Sequence, residues 1–377
     1  MRINGLEAFP IEIPWKQPFQ IATALYTTQP YVIVKLYTDG DVIGYGEACP
    51  CYEFTGEIIG TVMSILKDRI FPAIRGEDPF NIEAITNKMD EATVGNASAK
   101  AAIDMAVYDI IGKVLHQPIC QVLGGSVKDK AVYTGGATIT TFEETVAQCV
   151  KDVSRGIQEL KIKVGEDPAK DAEKIQRVRE AVGPDVQIRV DANQGWRTPE
   201  KAIKAIRLME RCELQLVEQP IFAWNLRGLS RIRRIVDVPI MLDESVHTSK
   251  DAVKAIQMEA CDIINIKLMK SGGIYEAVKI NAIAEASGID CFLGGMGETS
   301  IGSSAGYHLL AARNNIKYGD VNIPTEEGGL EEDVASGIEE IKVENVLYVK
   351  MPSGSGLGVQ VNDDMIKKYL TNDPIRI

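Results

Sequence analysis

The sequence predicts an α/β fold, a barrel of parallel strands preceded by an α+β unit, and three observations predict it. The chain has 377 residues. That exceeds the roughly 250–300 at which one hydrophobic core usually stops growing, unless the fold is an α/β barrel. From about residue 126 onward, short apolar runs bounded by turn residues alternate with helical segments. Such runs between helices read as parallel strands buried on both faces. Finally, Lys163, Asp191, Glu218, Asp243 and Lys267 close successive runs at gaps of 28, 27, 25 and 24 residues, each the length of one β/α unit.

The elements follow in order. Residues 1–60 read as antiparallel strands: Tyr31–Tyr37 is β-rich, residues 38–41 (Thr-Asp-Gly-Asp) turn, and Val42–Gly46 resumes. From about Gly56 to Gly124 the pattern is helical. Asn96-Ala97-Ser98-Ala99-Lys100 opens a helix running to about Leu115, with Ala102, Ala106 and Ile110 at helical spacing. Leu123-Gly124-Gly125-Ser126 ends the block. Eight strand candidates follow: Ala131–Ile139, Glu159–Val164, Val186–Asp191, Leu214–Glu218, Pro239–Asp243, Asp262–Leu268, Asp290–Leu293 and Ile316–Asp320. Helices such as Asp171–Val182 and Pro199–Glu210 lie between them. Eight in succession favour a barrel over an open sheet.

Composition narrows the function. Forty-one basic against fifty-three acidic residues give a net charge of −12. A surface that acidic repels phosphate backbones and anionic membranes, so the expected partner is a small molecule. No run reaches the roughly 18 apolar residues of a membrane span, and the start lacks the apolar stretch of a secretory signal. We expect a soluble, cytoplasmic protein. The seven cysteines are odd in number and scattered, so reduced thiols are expected, with Cys49-Pro50-Cys51 the one close pair.

Barrel strand ends converge on one rim, where the active site sits. Three carboxylates, Asp191, Glu218 and Asp243, come from three consecutive strands. Crowded there unpaired, they would repel one another, and a hard divalent cation removes that cost. All-oxygen ligands without Cys or His point to Mg2+, with Mn2+ as substitute. Two lysine positions flank the trio. With period two, Lys161 and Lys163 point the same way, into the barrel mouth. Lys267 ends the sixth strand, opposite the second in a barrel of eight. Nearby positive charge lowers a lysine's pKa and frees a neutral amine to act as a general base.

These segments resemble the enolase superfamily, muconate lactonizing enzyme subgroup. The resemblance rests on Lys161-Ile162-Lys163-Val164-Gly165, Asp191-Ala192-Asn193-Gln194-Gly195-Trp196, Glu218-Gln219-Pro220, Asp243-Glu244-Ser245 and Ile266–Gly273. It implies a modified (β/α)7β TIM barrel over residues 126–344. The α+β capping domain of residues 1–125 is completed by about 345–377. It further implies Lys163 and Lys267 as the acid/base pair, Asp191, Glu218 and Asp243 as metal ligands, and Lys161 at the substrate carboxylate. Mandelate-racemase-type members use a His at the seventh strand; Cys291-Phe292-Leu293-Gly294-Gly295 offers none. His116, His247 and His308 read as structural or surface residues.

Within the subgroup, Thr55-Gly56-Glu57 and residues 96–102 resemble dipeptide epimerases of the L-Ala-D/L-Glu group. The implied activity is epimerisation through an enediolate of a dipeptide or other N-substituted amino acid. The alternative is a lyase of the same superfamily, a dehydratase or cycloisomerase. Those epimerases hold the dipeptide's ammonium with Asp-x-Asp after the last strand; here the stretch is Asp320-Val321-Asn322. Asn322 accepts a hydrogen bond but brings no charge. Glu298, after the seventh strand, is a further candidate for an ammonium. Substrate choice is expected in two cap loops, near Pro18–Thr27 and Cys49–Glu57. The family also implies a homo-oligomer.

Overall fold

A computed structural model describes residues 1–377. It contains an eight-stranded, all-parallel barrel sheet and an antiparallel cap. The barrel strands are, in order, Thr134–Ala137, Glu159–Lys163, Gln187–Asp191, Val217–Glu218, Ile240–Leu242, Ile263–Ile266, Asp290–Leu293 and Ile316–Gly319. We call them the first to eighth barrel strands. Each pairs with the next in parallel. Thr134 closes the ring. Its N–H donates to the Val321 carbonyl at 2.7 Å and its hydroxyl to the Gly319 carbonyl at 2.8 Å.

The first expected run divides. Lys130–Val132 pairs antiparallel with Val346–Lys350, and only Thr134–Ala137 enters the barrel. The backbone there approaches its neighbour too closely for a side chain. A Cβ on Gly136, whose φ is +135°, would lie 1.9 Å from the Lys161 carbonyl oxygen. The helices after the strands start where the sequence places caps. Thr141, Asp167, Thr198, Asn225, Thr248 and Thr299 each accept a backbone N–H from the first helical turn.

In the cap, Ile3–Gln20, Leu25–Thr38 and Ile43–Ala48 form an antiparallel meander, and Ile375–Arg376 from the C-terminus pairs with Glu7 and Ala8. The buried helix Ala97–Val114 lies against Ile43–Ala48. Its Ala102 and Ala106, one turn apart, meet Gly44 and Gly46. A Cβ on Gly46 would stand 1.9 Å from the Ala102 oxygen. The same helix reaches the barrel through Asp104. This buried carboxylate accepts the N–H of Ile274 (2.5 Å) and of Tyr275 (3.3 Å) at the start of helix Ile274–Ala286. No helix is long and apolar enough to cross a membrane.

Candidate active site

Register brings the strand-end residues together. Lys163 pairs laterally with Asp191, Asp191 with Glu218, and Glu218 with Met241, two residues before Asp243. Asp191, Glu218 and Asp243 are fully buried at the bottom of the cup. Gln219, held at a strained φ of +34°, helps set the last of them: its side-chain oxygen accepts the N–H of Asp243 (3.0 Å) and of Ser245 (3.2 Å).

The ammonium groups stand among the acids. Lys161 Nζ lies 2.7 Å from Glu218, 2.9 Å from Asp320 and 3.2 Å from Asp191. Lys163 Nζ is 2.6 Å from Asp191 and donates to Asn193 Oδ1 at 3.0 Å. Lys267 Nζ is 2.6 Å from Asp243 Oδ2, while Lys270 lies 2.9 Å from Asp243 Oδ1. Lys270 also donates to the carbonyls of Asp243, Val246 and Asn265 at 2.5, 2.8 and 2.9 Å. Asn265 in turn donates to Glu218 Oε1 at 2.7 Å.

The charge balance follows from these distances. Burial works against charge everywhere here, but close partners override it. Lys163 and Lys161 hold Asp191 below the usual carboxylate range, and Lys267 and Lys270 do the same for Asp243. Burial and then the Asp191 charge push Glu218 up. Burial disfavours charge on Lys161 and Lys267, yet the carboxylates win and hold both above the ordinary lysine value. For Lys267 this reverses the expectation drawn from positive neighbours: the nearest groups are acids.

The residues fit a divalent cation in donor chemistry. All are carboxylates, all are buried, and Glu218 Oε2 and both Asp243 oxygens receive no directed hydrogen bond. As packed, though, no three acids converge closely enough to form a ready metal cluster, because the Lys161 ammonium stands between Asp191 and Glu218.

Above the acids opens a cavity of about 870 Å3. Lys161, Lys163, Lys267, Glu298, Asp320 and Asn322 all line it. Asp320 is charge-paired on both oxygens, with Lys161 at 2.9 Å and Arg189 at 3.2 Å. Glu298 Oε2 accepts the Met296 N–H at 2.6 Å, so this acid also closes its own turn. Asn322 is exposed on the wall, and its backbone is held by Tyr307, whose hydroxyl donates to the Asn322 carbonyl at 2.6 Å. Both expected cap loops reach the cavity, through Phe19, Leu25 and Tyr26 from one and Cys51 and Phe54 from the other. None of the histidines lines it: His308 is buried, His247 is half-buried and His116 is on the surface.

Sequence reasoning missed four polar partners: Arg189, Asn193, Asn265 and Lys270. Arg189 and Asn265 stand two residues before Asp191 and Lys267. The period-two rule that aimed Lys161 inward also aims them inward.

Comparison with known proteins agrees with this architecture. A family model described as mandelate racemase / muconate lactonizing enzyme, N-terminal domain, matches residues 6–124, and one described as enolase C-terminal domain-like matches 144–365. The N-succinyl-L-Arg/Lys racemase of Bacillus cereus is 36% identical over 372 residues, 98% of either chain. Its crystal structure superposes with a TM-score of 0.95 at 34% identity, covering 100% of both chains. The L-Ala-D/L-Glu epimerase of Bacillus subtilis is 39% identical over 366 residues, 95% of this chain and 97% of that one. A dipeptide epimerase from Cytophaga hutchinsonii, complexed with Mg and the dipeptide D-Ala-L-Val, superposes with a TM-score of 0.93 at 30% identity over 100% of both chains. With both of its domains matched and its barrel-end acids and lysines in one cup, the chain belongs to the mandelate racemase / muconate lactonizing enzyme family of the enolase superfamily.

Proposed function

We propose that the protein is an isomerase, a Mg2+-dependent racemase or epimerase of N-acylated amino acids. The observation that carries this reading is the placement of Lys163 and Lys267, from the second and sixth barrel strands, on the wall of one cavity. An α-carbon held between them is within reach of an amine from either side. One lysine removes the α-proton and the opposite lysine, as its ammonium, returns one to the other face. Inversion results, with no bond to the acyl nitrogen broken.

The remaining residues bind and balance charge. Lys161 holds the substrate carboxylate, since its ammonium lines the cavity and lies within 3.2 Å of three anionic partners. Asp191, Glu218 and Asp243 would hold the cation, with Mn2+ as substitute. Once bound, it supplies positive charge at the substrate carboxylate and draws acid charge away from the lysines. Arg189 and Asp320 brace Lys161 from behind.

Two acyl classes fit, and the wall after the eighth strand favours one. A free substrate ammonium needs uncommitted negative charge; Asp320 is already shared by two cations, and residue 322 is Asn. This favours acyl groups without an ammonium, such as N-succinyl, over the aminoacyl group of a dipeptide. Dipeptides stay as the second reading because Asp320 and Glu298 still border the cavity. The activities that name the three relatives fall within this range.

The test is proton NMR in deuterated water with Mg2+ and panels of N-succinyl amino acids and dipeptides. The expected result is inversion with one deuteron gained at the α-carbon and no new alkene or ketone. Alkene, ketone or lactone formation without inversion would assign the chain to the lyases or cycloisomerases instead.

A further inference from the structure

We propose that Phe54 and Phe19 are positioning residues for the two bases, one ring to each lysine and each from a different part of the cap. The inference rests on the two-lysine reading above and extends it to residues outside the barrel.

The geometry is paired. Lys267 Nζ lies 4.5 Å from the centroid of the Phe54 ring, and Lys163 Nζ lies 6.0 Å from that of Phe19. Both rings line the same cavity as the lysines. Each ammonium is therefore held from below by a barrel carboxylate, Asp243 or Asp191 at 2.6 Å, and faced by a cap aromatic.

The Phe19 ring and the turn that carries Phe54 are each braced. Phe19, at the end of the first cap strand, stacks on Trp15 with centroids 5.2 Å apart and planes 18° apart. Phe54 sits in a tight turn whose N–H groups of residues 54 and 55 both donate to the Cys51 carbonyl, at 3.1 and 2.8 Å. Glu57 anchors the end of that turn. Its carboxylate accepts the N–H of Ser98 (2.9 Å) and Ala99 (3.2 Å) at the start of helix Ala97–Val114.

A π face attracts an ammonium but takes no proton from it, and it bars water from that side. It therefore fixes where Nζ stands without competing with the substrate for the proton. Aligning the reacting atoms to a fraction of an ångström is worth a large rate factor. Because each ring serves one lysine, its removal acts on one face of the substrate. The shorter contact makes Phe54 the stronger of the two.

The experiment follows α-hydrogen exchange in deuterated water, starting separately from each enantiomer of the N-succinyl amino acid that turns over fastest. Lys267→Ala and Lys163→Ala first identify which enantiomer each lysine deprotonates. Phe54→Leu is then expected to slow exchange about tenfold from the Lys267 enantiomer, and Phe19→Leu about threefold from the Lys163 enantiomer, with the opposite face nearly unchanged in each. Leucine keeps the apolar bulk and removes the π face. Phe→Met serves where a leucine variant fails to fold, as judged by its urea midpoint. Equal slowing of both faces, or no slowing, overturns the inference and leaves the two-lysine reading intact. If the lysine variants show no face preference, the two-lysine reading falls, and this inference with it.

Discussion

Replacing Lys270 by methionine separates the two lysines that follow the sixth barrel strand. They are three residues apart and share Asp243, yet their surroundings differ. Lys270 is completely enclosed and touches four acceptors: Asp243 Oδ1 at 2.9 Å and the carbonyls of Asp243, Val246 and Asn265 at 2.5–2.9 Å. Methionine matches its stem but leaves a carboxylate oxygen and three carbonyls facing a thioether. Removing one partner of a buried ion pair costs ~3–5 kcal/mol, and unpaired carbonyls push toward the upper end of that range. A domain stable by ~5–15 kcal/mol becomes marginal. Lys267 makes one charge contact, at 2.6 Å, on the cavity side. Lys267→Met leaves Asp243 still paired with Lys270, so its stability loss is expected to stay near ~1 kcal/mol, while exchange from its face falls by ~100- to 10,000-fold. Urea unfolding with an unchanged slope measures the first quantity, and deuterium incorporation the second. Equal stability of the two variants would refute the assignment of Lys270 as structural. So would a stable Lys270→Met protein without exchange, which would make Lys270 part of the chemistry.

Asn322→Asp restores negative charge to the cavity wall and is expected to raise kcat/KM for dipeptides about tenfold relative to N-succinyl amino acids, roughly one charge-assisted hydrogen bond; a fixed ratio in competition assays counts against an ammonium site there. Chelation is expected to abolish exchange and added Mg2+ to restore it. Mg2+ should also raise the melting temperature of the chelated protein but not that of Asp243→Asn, and an equal rise in both places the ion elsewhere. His308 is buried, with Nδ1 accepting the Cys120 N–H and Nε2 facing the Leu357 carbonyl. Burial pushes its pKa from 6.5 down to about 4. The unfolded chain therefore takes up this proton first. Its contribution is full above about pH 6.5 and is lost as the pH falls to about 4, ~3 kcal/mol in all. His308→Gln removes that part of the acid limb, as urea midpoints at pH 7 and 4.5 will show.

The strand-end residues were legible because a parallel barrel ties position to period: one β/α unit returns the chain to the same rim, and register then sets Lys163 beside Asp191 and Asp191 beside Glu218. What stayed hidden came from places without a period. Phe19 and Phe54 reach the lysines from a strand end and a tight turn of another domain, and no spacing in the chain couples residue 54 to residue 267. The split of the first run at Tyr133 was hidden for a related reason. An apolar run does not say which sheet it joins, although Gly136 marks where the backbone must draw close to Lys161. The charge state of Lys267 was a different kind of miss. Counting neighbours by sign predicted lysines with lowered pKa values. At Lys267 the contact of 2.6 Å to Asp243 is instead acidic and holds the ammonium form. Because the interaction grows as the inverse of distance and is least screened where water is excluded, the nearest partner outweighs the count. Catalysis at this rim then requires that the acids be drawn off the amines, which is the demand a shared cation on Asp191, Glu218 and Asp243 would meet.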